Sequence, residues 1–302
     1  MRPERASKTL EDIRDAASFI LMVIQEKTLE NYSEDRLLRQ AIEGNFEIIG
    51  EAVGRLADRG IAYVTLAHLV WRRVATDAPA IPHLPDWLYR ALFPQPDEPG
   101  LSELGRAAVK AMAERRVLID LSHMSEQSVG DTLSYLEGLK GPTPPVVATH
   151  SCFRFGSQEY ALNEYVVGRI ADGGGVIGLI MAQHQMCDGL SRLRVRSLDR
   201  SIEIICNHID RMAAVTGHHN HLAIGSDLDG FIKPTMRGIE SMADMARLER
   251  ELKRRYGEEV AHKICFDNAM RVLEEGWGGG TGDGVNGAGK TDLALGAPPQ
   301  RV

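Results

Sequence analysis

The sequence has few cysteines, few aromatic residues and no long apolar run. Its four cysteines are far apart and form no C-x-x-C pair, which argues against a thiolate metal site and favours a reducing compartment. No apolar run approaches the roughly 20 residues that cross a bilayer, and the first 30 residues lack a signal-peptide pattern. We therefore expect a cytoplasmic protein that does not act at a membrane.

A basic surface is also lacking. The 302 residues carry a net charge of −7, with a pI near 5.8. The densest basic stretch, Arg192 to Arg200, holds four arginines, and we interpret it as a solvated loop. Because no basic run is long enough to follow a phosphate backbone, nucleic acid is not expected as a partner.

One motif lacks the flanking strand and helix that it needs to bind phosphate. GVNGAGKT (284–291) matches the phosphate-loop pattern G-x-x-x-x-G-K-[ST], whose backbone N–H groups bind phosphate between a strand and a helix. The preceding GWGGGTGD is no strand, and the 11 residues that follow contain Pro-Pro. We therefore interpret this segment as part of a flexible Gly-rich tail, 278–302.

The rest of the chain divides into two regions. Residues 1–57 show apolar residues at helical spacing and predict a helical hairpin. Residues 58–277 alternate short apolar segments with helical ones, which predicts an α/β fold with a parallel sheet, as in a β/α barrel. The predicted strands are 62–67, 117–122, 145–149, 175–182 and 221–226, and a helix over 102–116 is capped by Ser102.

Four predicted strands end on a residue that can act as a metal ligand or a catalytic group. These residues are His68, His123, His150 and Asp227. In β/α barrels the carboxyl ends of the strands form the active-site face, and imidazoles and carboxylates are zinc ligands. The pattern therefore predicts metal-assisted hydrolysis. His218, His219 and His221 precede a strand, on the face expected to be structural.

Six segments in register resemble the membrane (renal) dipeptidase family of zinc peptidases. They are RGIAYVTLAH, VLIDLSHMS, PVVATHSC, GGGVIGL, HLAIGSDLDG and FDNAMRVLEEGWG, and they extend from about residue 58 to 278. The resemblance implies a barrel of the metal-dependent hydrolase type and hydrolysis of a dipeptide or related small amide by a metal-bound water.

The resemblance also implies residue roles. His123 and His150 would bind one zinc of a binuclear pair. His68 would face the substrate and stabilise the tetrahedral intermediate, and Asp227 would move protons during attack and amine release. A small peptide substrate is then the expected partner, and one or two zinc ions are the expected cofactor.

The sequence departs from that family at its beginning. The family's first-strand His-x-Asp metal pair is absent, since no histidine precedes His68; the only H-x-D, at 208–210, looks like a structural dipeptide. Glu43 stands where the family has a bridging metal ligand. However, LEDIRDAASFI and EDRLLRQAIEGNFEIIGEAVGRL resemble the HepT-like antitoxin family over about residues 1–56, in which Glu43 would be an exposed helix residue. Both interpretations of Glu43 remain open.

Two further differences concern the substrate and the assembly. Tyr160-Ala161 replaces the family's Arg-Asn that holds the substrate carboxylate. Tyr160 and Arg154 are the candidate substrate-binding residues, and Arg154 could take the charge of that carboxylate. We expect the barrel to lack its first strands, which the hairpin replaces. It then needs closure by the hairpin or by another chain, and we expect a homo-oligomer. The alternative function is a catalytically impaired fusion or truncated product whose N-terminal helices mediate association.

Overall fold

The computed structural model describes residues 61–69, 72–81, 84, 86–94, 99–228, 230 and 232–278. The predicted hairpin (1–57), Glu43 and the GVNGAGKT segment lie outside these residues. The hairpin, its HepT-like resemblance and the metal-ligand role of Glu43 therefore stay predictions, as do the domain boundaries.

The described residues contain a five-stranded parallel sheet in which each strand pairs with the next one in sequence. All five strand predictions are confirmed, and β3 continues two residues beyond its predicted end, through His150. It does so because Ser151 pairs with Leu179 of β4 after an irregularity in register. The strands are β1 (Tyr63–Thr65), β2 (Leu118–Asp120), β3 (Val146–Ser151), β4 (Val176–Leu179) and β5 (Leu222–Ile224).

Helices connect these strands, as the alternating pattern predicts. Their bounds are α1 (Asp86–Leu92), α2 (Glu103–Glu114), α3 (Glu126–Gly138), α4 (Glu164–Asp172), α5 (Gln183–Met186), α6 (Leu198–Thr216), α7 (Met245–Tyr256), α8 (Glu258–His262) and α9 (Asn268–Leu273). A 3₁₀ turn, Met242–Asp244, precedes α7, and π-helical turns follow α8 (Lys263–Asp267) and α9 (Glu274–Gly278). The predicted cap of α2 is confirmed, since the Ser102 hydroxyl accepts a hydrogen bond from the backbone N–H of Gly105.

Two glycines near the C-terminus have different functions. Gly257 ends α7 with a φ of 85°, which a residue without Cβ adopts without strain. Gly276 does not end the helical segment, because the π-helical turn after α9 continues to Gly278. A Cβ at Gly276 would lie 2.2 Å from Leu118 Cδ2, so glycine there permits close packing of the helix on β2.

The sheet is buried on both sides, as parallel sheets usually are. Ile119, Ala148 and Ile177 are completely inaccessible to solvent. At the carboxyl edge, a Cβ on Gly178 or Gly225 would lie within 2.1 Å of the Thr149 carbonyl oxygen. These two glycines therefore let β3, β4 and β5 approach closely just where His150 follows Thr149.

The described part of the chain contains no helix long and apolar enough to cross a membrane. The structure thus shows an α/β protein with a parallel sheet. Closure of that sheet into a barrel stays a prediction.

Candidate active site

The carboxyl edge of the sheet brings four of the predicted residues into one cavity. A cavity of about 170 Å³ is lined by His68, His123 and Asp227, together with Tyr160. The ring centroids of His68 and His123 are 4.6 Å apart, and those of His123 and His150 are 4.9 Å apart. Residues separated by more than a hundred positions therefore meet at one site.

His123 and His150 face each other through their ring nitrogens. Their Nε2 atoms are 2.9 Å apart. The Nδ1 atom of His150 is 2.8 Å from the Thr149 hydroxyl. Such a contact orients the imidazole, as a hydrogen bond to the other ring nitrogen does for a metal-bound histidine. Burial, with smaller contributions from His150 and His68, lowers the pKa of His123 to about 3. His123 is therefore neutral at physiological pH.

Two imidazoles with converging nitrogens fit two ligand positions of a zinc-type ion. Within the described ranges, no group of three or more His, Cys, Asp or Glu side chains is placed to hold a metal ion. The described residues thus offer an imidazole pair, and any further protein ligand would come from outside them. Glu43 belongs to that undescribed part.

His123 and Asp227 share an uncommon backbone conformation. Their φ angles are 68° and 51°, in the left-handed region that residues with a Cβ rarely adopt. Such strain persists only where surrounding contacts hold it, and it is typical of functional sites. At His123 the backbone carbonyl accepts a 2.7 Å hydrogen bond from the N–H of Ala78.

Asp120 holds the strand ends together and was missed by the sequence analysis. Its buried carboxylate accepts hydrogen bonds from the hydroxyls of Thr65 (2.6 Å), Ser122 (2.8 Å) and Thr149 (2.7 Å). It also accepts from the backbone N–H groups of Ser122 and Thr149. Asp120 therefore joins β1, β2 and β3 directly beneath the imidazole pair. A lone Asp inside the apolar run VLIDLS was the available signal.

Tyr160 supports the histidine pair. Its ring centroid is 5.2 Å from that of His123, and its hydroxyl donates a 2.7 Å hydrogen bond to the His150 carbonyl. Burial is the main cause that raises the pKa of Tyr160 well above its usual value. The hydroxyl thus stays protonated and remains a donor to the strand.

The structure does not bring Arg154 to the cavity. Its guanidinium pairs with Glu126 at 2.7 Å and donates to the backbone carbonyls of Ala161 and Glu159. The hydrogen bond from Arg154 is also the main cause that lowers the pKa of Glu126. Binding of a substrate carboxylate by Arg154 stays a prediction and would require displacement of Glu126.

A fourth imidazole lies at this edge of the sheet and was not predicted from the sequence. His184 and Gln185, on α5, both line the cavity. The signal was available, because His184 follows the predicted strand 175–182 by two residues. His184 thus occupies the same kind of position as His68 and His123.

Another set of histidines serves the scaffold. His208 is completely buried on α6, accepts a hydrogen bond from the Phe153 N–H and contacts the Met186 carbonyl. This position agrees with the structural role expected for the dipeptide at 208–210. His221 contacts the Gly175 carbonyl through Nδ1 at 2.8 Å, at the other edge of the sheet.

A parallel α/β sheet with imidazoles and a carboxylate gathered at its carboxyl edge defines a fold class used by metal-dependent hydrolases. The family model described as "Membrane dipeptidase (Peptidase family M19)" matches residues 41–276. The chain belongs to this membrane dipeptidase family, and that part of the predicted identity is confirmed.

Two curated relatives illustrate the similarity. The chain is 33% identical over 182 residues to an "Uncharacterized protein in pqqA 5'region" of Klebsiella pneumoniae, covering 59% of this chain and 62% of that protein. It is 26% identical over 222 residues to "Dipeptidase tcpJ" of Claviceps purpurea, covering 72% of this chain and 45% of that protein. The chain therefore spans less than two thirds of the length of these relatives.

Solved structures agree in fold. A metallopeptidase from Rhodobacter sphaeroides, solved with a phosphinate mimic of the dipeptide L-Ala-D-Ala, is 26% identical with a TM-score of 0.51, covering 59% of this chain and 48% of that one. An amidohydrolase from Pseudomonas aeruginosa has a TM-score of 0.58 at 18% identity, covering 80% and 76%. The latter similarity concerns the fold alone.

Proposed function

We propose that the protein is a zinc-dependent hydrolase of dipeptides or related small amides. The single observation that carries the proposal is the pair of Nε2 atoms of His123 and His150, 2.9 Å apart beside a cavity that also contains Asp227. Membership of the dipeptidase family supports the reaction class. Closure of the sheet into a barrel, and assembly into a homo-oligomer, belong to this proposal as well.

In this proposal His123 and His150 hold the metal, with Glu43 as a candidate for a further ligand. A zinc ion bound there supplies a Lewis acid and lowers the pKa of water to about 7. The low pKa of His123 keeps its lone pair available for coordination at neutral pH. Tyr160 fixes the strand that carries His150 through its hydroxyl.

The remaining cavity residues act on the substrate. His68 is exposed at the cavity next to His123, so it can donate a hydrogen bond to the oxygen that becomes negative in the transition state. Asp227 is the carboxylate of the cavity and accepts the proton of the attacking water, then delivers it to the leaving amine. Both roles require the substrate amide to lie between these two side chains.

The proposal is tested with the purified full-length chain. Zinc content is measured by mass spectrometry, and hydrolysis is measured on a dipeptide panel that includes L-Ala-D-Ala. We expect the wild type to retain zinc and to cleave at least one member. His150→Ala should lose both properties, whereas Asp227→Asn should keep the metal and lose turnover.

The matched control is His262→Ala, which removes an exposed histidine on α8. It should behave as the wild type in both assays. A wild type that neither retains metal nor cleaves any peptide at any zinc or manganese concentration would contradict the proposal.

A further inference from the structure

A large basic groove adjoins the catalytic cavity. One lobe has a volume of about 790 Å³ and the neighbouring lobe about 820 Å³. The two lobes share Gln183, Arg194 and Pro234 as lining residues. His184 lines both the second lobe and the cavity, so the groove and the site of reaction share this imidazole as a lining residue.

The groove has an excess of positive charge in an acidic protein. Among the described residues, its lining cations are Arg192, Arg194, Arg196, Lys233 and Arg237, against two carboxylates, Asp188 and Glu240. Glu240 is paired with Arg237 at 2.8 Å. Asp188 accepts a hydrogen bond from the backbone N–H of Gln158. Within the described ranges, the other four cations have no carboxylate partner.

Gln183 holds the two cationic segments in place across the groove. This buried side chain accepts a hydrogen bond from the N–H of Val195 and donates to the carbonyls of Val195 and Thr235. Val195 lies between Arg194 and Arg196, and Thr235 follows Lys233 by two residues. The charges therefore project from segments anchored to a buried amide, which reduces the ordering cost of binding a ligand.

We propose that this groove binds the side-chain carboxylate of an acidic dipeptide substrate, an inference that rests on the proposed hydrolase function. The amide occupies the cavity at His68 and Asp227, and the acidic side chain extends past His184 towards Arg194 and Arg196. Arginine pairs with carboxylates through two parallel N–H groups, which suits recognition of such a side chain. Arg154, which is already paired with Glu126, is not needed for this contact.

The test compares two substrates that differ only in charge. The value of kcat/KM is measured for Ala-Glu and for the isosteric Ala-Gln with the metal-loaded wild type and with the double variant Arg194→Gln/Arg196→Gln. One exposed ion pair changes binding by about 1.4- to 5-fold. We expect the wild type to prefer Ala-Glu, and we expect the double variant to reduce that preference by at least about twofold.

The matched control is Arg250→Gln, which removes an exposed arginine on α7 and should keep the wild-type preference. A rise in ionic strength from about 0.02 M to about 0.5 M should also reduce the preference of the wild type, because screening weakens exposed charge pairs. This second measurement decides the question even if the double variant does not fold.

Three results would overturn the inference. They are equal rates of the wild type on both substrates, an unchanged preference in the double variant, and a preference that salt does not affect. Inorganic phosphate that inhibits the wild type but not the double variant, with no substrate preference in either, would assign the groove to free anions instead. If the wild type cleaves neither peptide, the hydrolase proposal itself fails, and that outcome is distinct from the loss of preference alone.

Discussion

The buried imidazole of His208 should make the protein unstable in mild acid. His208 lies on α6, and its ring nitrogens contact the Phe153 N–H at 3.1 Å and the Met186 carbonyl at 2.9 Å. It thereby links the segment after His150 to the helix that carries His184. Burial lowers its pKa from 6.5 to about 4, against a smaller opposing effect of the Met186 carbonyl.

The sign follows from proton binding in the two states. Because the folded pKa is below the unfolded one, the unfolded chain binds more protons between about pH 6.5 and pH 4. The contribution of the neutral His208 imidazole to the free energy of unfolding is fully present above the unfolded pKa, and it is lost as the pH falls through this window. For pKa values of 6.5 and about 4, the loss between pH 7 and pH 5 is about 2 kcal/mol.

The perturbation is His208→Gln, which keeps an amide donor and acceptor but does not titrate. The free energy of unfolding is measured by urea titration at pH 7 and at pH 5. We expect the wild type to lose about 2 kcal/mol more than the variant over this interval. His262→Gln, at an exposed position, serves as the control and should show the wild-type pH dependence. An equal loss in wild type and His208→Gln would refute the reasoning.

Two further substitutions test the support of the site. Asp120→Ala leaves the backbone N–H groups of Ser122 and Thr149 without their acceptor, so we expect thermal or urea unfolding to show a loss of about 2–6 kcal/mol. Asp120→Asn keeps one acceptor oxygen and should cost clearly less; an equal cost would argue against the hydrogen bonds as the cause. Tyr160→Phe removes the hydrogen bond to the His150 carbonyl and should lower the free energy of unfolding by about 1 kcal/mol. An unchanged free energy of unfolding would show that this bond does not stabilise the fold.

The strands and the helix start were predictable because their signals are local. Each of the five predicted strands is a short apolar segment, and each is a strand of the observed sheet. Ser102 and Gly257 mark helix ends through contacts or dihedral angles within a few residues. The positions of His68, His123 and Asp227 after their strands then follow from the parallel order, which places all carboxyl ends at one edge.

The sequence was less informative where a side chain's contacts are distant. Arg154 was expected to meet the substrate, yet its guanidinium pairs with Glu126 on α3. Arg192 to Arg200 was interpreted as a solvated loop, and residues 191–196 do form a loop with exposed arginines, but the sequence did not show that Arg194 and Arg196 line a groove with Lys233. In each case the charge was visible in the sequence, but its neighbours were not.

The α/β class, the order of the strands along the chain and the family of this protein could all be inferred from the sequence. Three features are visible only in the folded molecule: the Nε2 atoms of His123 and His150 meet, Asp120 joins three strands, and His184 borders both the cavity and the groove. The physical reason is that strands and caps depend on neighbouring residues, whereas a site depends on distances between residues far apart in the chain.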